Sequence, residues 1–130
     1  MIQVWIGKDE KANVAALAAK LEKLVKERSG GKDLGDGEQM DLLRAFLVFI
    51  EASRKEEAEQ IAKEQKVECL DVGYLPEKRK QVEVDAYGVK AEAKNTVFVH
   101  KDARVTAVFV DVTEKDFEKI VKAADEAMKK

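Results

Sequence analysis

The chain has 130 residues, 45% hydrophobic and 38% charged, with 24 Lys and Arg set against 26 Asp and Glu for a net charge of −2. That composition excludes a disordered chain and suits one domain, residues 1–130, with its own core; lysines interleaved with glutamates leave no basic footprint for nucleic acid or an anionic membrane. A lone cysteine, Cys69, permits no internal disulfide, and the longest apolar run, Ala45 to Ile50, is far short of the roughly 20 residues a membrane-spanning helix needs, so no membrane insertion is expected.

Met1 to Ile6 reads as a strand: Ile2, Val4 and Ile6 alternate with Gln3 and Trp5, the pattern of a half-buried edge strand whose polar face is interrupted by the tryptophan. The segment lacks the basic region, long apolar stretch and cleavage site of a secretory signal, and neither it nor the cysteine count assigns a compartment. From Glu10 to Arg28, Val14, Leu17, Ala18, Leu21, Leu24 and Val25 recur at steps of three and four. Lys20, Glu22, Lys23, Lys26 and Glu27 take the other face of this amphipathic helix, which Ser29-Gly30-Gly31 stops. Four glycines then make residues 30–38 a Gly-rich loop, long enough to be a candidate for partner contact.

Arg44 to Ile50 is apolar on both alternating faces, as expected of a central strand covered on two sides. Ser53 and Glu56 have capping-box spacing and open a second helix that runs to about Gln65, with Ala58, Ile61 and Ala62 as its buried stripe. Val67 to Tyr74 reads as a third strand, and Pro76 opens a third helical segment ending near Gly88. Asn95 to His100 and Val105 to Val112 are strong strand runs whose short link, Lys101 to Arg104, makes them an antiparallel hairpin. Thr113 caps a last helix with Asp116 in its first turn and an apolar stripe of Phe117, Ile120, Val121, Ala124 and Met128. The element order is βαβαβαββα, an α/β fold with a mixed central sheet between helical layers.

This order, together with Tyr87-Gly88-Val89, the strand motif Thr96-Val97-Phe98-Val99 and the charged turn after it, resembles the carboxy-terminal half of thioredoxins. The resemblance implies a thioredoxin-like three-layer sandwich. In that family a cis-proline precedes the threonine; here the matching residue is Asn95. The family's Cys-x-x-Cys opens the helix after the central strand, where this chain has Glu51-Ala52-Ser53-Arg54-Lys55-Glu56. Disulfide exchange needs an activated thiolate and a second, resolving thiol. A thiol-disulfide oxidoreductase is therefore not expected, and no cofactor is called for.

The expected function is that of a non-catalytic interaction module, joining a protein partner or its own copy through a sheet edge or the glycine loop. The alternative is a protein that holds a small anion at the start of the second helix, where Ser53, Arg54 and Lys55 add a hydroxyl and two cations to free backbone donors. By resemblance to glutathione transferases, relatives of this fold, that ligand would be glutathione-like; Asn95 is a further ligand-binding candidate beside Ser53, Arg54 and Lys55. Cys69, within the third strand, reads as a small hydrophobe, and His100, the only histidine, as a structural residue near a strand end. Asp9, Glu10, Asp33, Asp36 and Asp41 lack the spacing of a calcium loop, and no metal site is expected.

Overall fold

The computed structural model of the protein describes residues 1–29, 44–67, 70–80, 82, 85, 88–89, 93–101 and 104–128. These form an α/β fold around a five-stranded mixed sheet. In chain order the elements are β1 (Ile2–Ile6), α1 (Lys11–Ser29), β2 (Ala45–Phe49), α2 (Lys55–Glu64), β3 (Asp71–Tyr74), β4 (Asn95–Lys101), β5 (Arg104–Val110) and α3 (Phe117–Met128). Short 3-10 turns precede α2 and α3 at Ala52–Arg54 and Glu114–Asp116, and another follows β3 at Glu77–Arg79. The glycine loop, Cys69 and the Asp102-Ala103 turn lie outside the described residues.

The strands lie in the order β3-β2-β1-β4-β5. β1 pairs in parallel with β2, from Ile2↔Ala45 to Ile6↔Phe49, and β2 in parallel with β3. β1 also pairs antiparallel with β4, from Ile2↔Val99 to Ile6↔Asn95, and β4 with β5. The strand expected at an edge is thus the central one. Gln3 gave it the look of a half-polar strand, yet Gln3 is buried and its Oε1 accepts a hydrogen bond from the Trp5 indole at 3.3 Å. With ladders on both sides and cover on both faces, all five residues of β1 are buried. β2, expected to be central, is interior but one place removed.

Sheet parity explains the core. Ile2, Val4, Ile6, Ala45, Leu47, Phe49, Val97 and Val99 share one face and meet the apolar stripes of α1, α2 and α3 in a single cluster. Trp5, Ile50, Val89 and Phe98 form a smaller cluster on the opposite face, joined by Val48 and Leu75. Leu75 and Val89 pack in that second cluster. Between them the chain makes the 3-10 turn Glu77–Arg79 and Lys80, Val82 and Asp85 are helical, while the other residues between Lys80 and Gly88, part of the third helical segment expected from Pro76 to Gly88, lie outside the described residues. Burial of about 2 kcal/mol per large apolar side chain makes the three-helix face the main source of stability.

Two local expectations change. Glu22, assigned to the solvent face of α1, is only 5% exposed, and its Oε1 accepts the Leu70 backbone N–H at 2.9 Å. The chain entering β3 crosses that part of the helix and needs an acceptor there. Ser53 and Glu56 form no capping box: the turn Ala52–Arg54 intervenes, and Arg54, not Ser53, stands at the start of α2. By contrast, Thr113 donates to Asp116 from both its backbone N–H and its hydroxyl, each at 3.2 Å, as the sequence suggests.

Candidate functional site

Two regions carry the polar and exposed features from which a function could be built: the carboxyl ends of the parallel strands, and the outer edge at β5. In open α/β sheets the first is the usual location of a ligand, at the strand where the direction of winding changes. Here that strand is β1, with β2 on one side and β4 on the other.

β1 leads through Gly7-Lys8-Asp9-Glu10 into α1. The backbone N–H groups of Gly7 and Asp9 donate to Lys94 O, and that of Lys8 to Ala93 O, so this link is laced to the approach to β4. Asp9 is buried, and each of its carboxylate oxygens is engaged. Oδ1 accepts the Glu10 N–H, while Oδ2 accepts the side-chain amides of Asn13 and Asn95, both at 2.7 Å. Asn95, 1% exposed, also closes a two-way exchange with Val112: its Oδ1 accepts the Val112 N–H at 2.8 Å and its Nδ2 donates to Val112 O at 2.9 Å. Every polar atom of the Asn95 side chain is used to tie β1, β4 and the end of β5 together. Chemically the knot is a carboxylate satisfied by neutral donors, a fastening with no vacant coordination.

The residues expected to hold an anion differ in their surroundings. Ser53 is exposed on its 3-10 turn and caps nothing. Arg54 folds back across the sheet end: its guanidinium donates to Glu57 at 2.6 and 3.0 Å and to Gly7 O at 3.0 Å, and lies 4.9 Å from the centre of the Phe49 ring. Lys55 stands 5.7 Å from the Tyr74 ring centre and 4.0 Å from Glu59. Asn95 belongs to the Asp9 knot. An incoming anion at Arg54 would have to displace the Glu57 carboxylate.

His100 lies half-buried on β4 beside Phe98, ring centres 6.1 Å apart, and its Nε2 has no hydrogen-bond partner among the described residues. Burial, reinforced by the amino-terminal ammonium, holds its pKa below the ordinary histidine value. That ammonium donates to His100 O at 2.9 Å, and the His100 N–H donates to Met1 O. Thr96 Oγ1, buried on the same strand, is likewise unpartnered among the described residues. No group of three or more His, Cys, Asp or Glu suited to a metal occurs among the described residues, and no described helix is long and apolar enough to cross a membrane.

The β5 edge is different in kind. Between Arg104 and Asp111 the strand reads Val-Thr-Ala-Val-Phe-Val, with no charge, proline or glycine. Val105, Val108 and Val110 are 47%, 53% and 44% exposed. They pair across the ladder with His100, Phe98 and Thr96, which sets all three on the face of the smaller cluster. Proteins usually blunt an edge of this length with lysine, proline, a bulge or a covering element; of these β5 has a bulge, opposite Val99 and His100. Sequence reasoning identified the strand and missed its exposed face, because alternation marks two faces without saying which is covered.

The chain matches no protein-family model and has no significant match among curated proteins. The functional reading therefore rests on the residues themselves.

Proposed function

We propose that this protein is a non-catalytic, thioredoxin-like interaction module that receives a partner strand along β5. The observation that carries this reading is the β5 edge, seven residues long, with no strand on its outer side among the described residues and three exposed valines, Val105, Val108 and Val110, on one face. Such an edge offers backbone donors and acceptors for strand addition and an apolar stripe for specificity.

The chemistry of the sheet end supports the absence of thiol exchange. If the helix that would carry a redox pair is the one after β1, its opening is Gly7-Lys8-Asp9-Glu10-Lys11; if it is the one after β2, the opening is Glu51-Ala52-Ser53-Arg54-Lys55. Neither contains sulfur. Asn95, at the position the thioredoxin resemblance gives to a cis-proline, spends its amide on Asp9 and Val112.

The test uses a photo-reactive phenylalanine analogue placed at position 108 or, as a control, at exposed position 118 on α3, with irradiation in the cells that make the protein. A covalent adduct at 108 and none at 118 is expected, together with no reduction of insulin by the purified chain. Absence of adducts at both positions, or insulin reduction at a thioredoxin-like rate, overturns the reading.

A further inference from the structure

Building on that reading, we infer that the strand β5 receives is β5 of a second copy, paired antiparallel about a two-fold axis at Val108. The geometry of the edge specifies this register. Asp111 donates its N–H inward to Asn95 O, and His100 donates away from β5 to Met1 O. Backbone direction alternates along a strand, so the residues paired as His100↔Val105, Phe98↔Val108 and Thr96↔Val110 turn the β5 backbone outward at Val105, Val108 and Val110. These are the three exposed valines of the strand; Arg104 and Thr106 are exposed beside them.

The ladder between β4 and β5 shifts register next to Val99 and His100, leaving Thr106 as the extra residue on β5. That irregularity makes the edge complementary to itself. With Val108 opposite Val108 of the copy, Ala107 meets Phe109; beyond the bulged Thr106, Val105 meets Val110 and Arg104 meets Asp111. All members of each pair then point to the same face, as an antiparallel ladder about a two-fold axis requires. Three outward backbone pairs exchange hydrogen bonds, and the valines form one stripe across the join. The charged residues that flank the valine run fall near their complements twice over. Arg104, exposed and with no ion pair among the described residues, approaches Asp111 of the copy, which is exposed one place past the end of β5 and whose Oδ1 accepts the Lys94 N–H at 2.9 Å. Two five-stranded sheets would become one of ten strands, with neither β5 left as an edge.

Sedimentation equilibrium of the purified chain from about 10 µM to about 1 mM, a range that detects even millimolar association, should show a monomer–dimer equilibrium. Val108→Lys sets two ammonium groups against each other at the axis and should weaken the dimer by about a hundredfold or more. Because Val108 is 53% exposed, the circular dichroism and melting temperature of that monomer should match the parent. Arg104→Glu should weaken association about tenfold and Arg104→Lys much less, with the difference shrinking at high salt. In a Cys69→Ser background, Val108→Cys should form an intermolecular disulfide on mild oxidation, since directly opposed hydrogen-bonded residues lie about 5.5 Å apart at Cα.

A monomer at the highest concentration overturns the inference. If position 108 nevertheless gives adducts with another protein in cells, the interaction reading stands without it; if it gives none, both fall. A dimer that survives Val108→Lys, or one in which the thiol introduced by Val108→Cys stays reduced, places the interface elsewhere and also overturns the register.

Discussion

Asn95 shows how much one side chain can hold. Replacing it with leucine removes a donor from the buried Asp9 carboxylate and leaves the Val112 N–H without its acceptor. We expect a loss of about 3 kcal/mol, read from urea unfolding, because a buried group stripped of its partner bears its full desolvation cost. Asn95→Asp should be worse at neutral pH and should recover stability relative to the parent as pH falls from 7 to 4, since two adjacent carboxylates cannot both stay ionised. His100 makes a second residue-scale case. Its folded pKa lies below the unfolded value of 6.5, so the unfolded chain binds the proton more readily. The contribution is complete above about pH 6.5 and is lost as pH falls through that value toward the lower folded one. The single histidine NMR signal should titrate below 6.5, and the drop in urea midpoint between pH 7.5 and 5.5 should shrink in His100→Phe. A titration at or above 6.5 would refute the buried environment.

Among the elements, the two helix starts and the entry to β3 differ in what their polar residues do. Ser53 caps nothing, so Ser53→Ala should change stability by less than about 0.5 kcal/mol, where a working cap would cost about 1. Glu22→Ala should cost about 2 kcal/mol by orphaning the buried Leu70 N–H, while Glu22→Gln keeps an acceptor and recovers most of it. The pair of results, from chemical unfolding, inverts the ranking that sequence spacing suggests. Ser53 followed by Glu56 matches a local pattern, but the chain leaves β2 through a 3-10 turn that moves the helix start past the serine. Glu22 has the period of a surface residue, and nothing within a helical turn announces that a strand entry forty-eight residues away requires it. The helices themselves were legible because their apolar stripes recur locally, and so was the hairpin, whose link is too short for another connection.

At the scale of the molecule, β1 serves both hydrophobic clusters, through Ile2, Val4 and Ile6 on one face and Trp5 on the other. Neither face should melt alone. Trp5 fluorescence and far-ultraviolet circular dichroism should therefore trace coincident unfolding curves, and an earlier fluorescence transition would show the smaller cluster to be an independent unit. Read without coordinates, the chain specified its α/β class, its five strands, the helices α1, α2 and α3, and most residues of the three-helix core; these follow from composition and from periods of two and 3.6, which are local. Lateral strand order is not local. Placing β1 at the centre depended on its pairing with β4 some ninety residues later, and that pairing turned an apparent edge strand into the hub and set β5 at the end of the sheet among the described residues. It likewise drew Asn95 into the Asp9 knot and away from Ser53, Arg54 and Lys55. An apolar residue has the same pattern whether its face is covered or bare, so the exposure of the β5 valines was decided only by the tertiary structure.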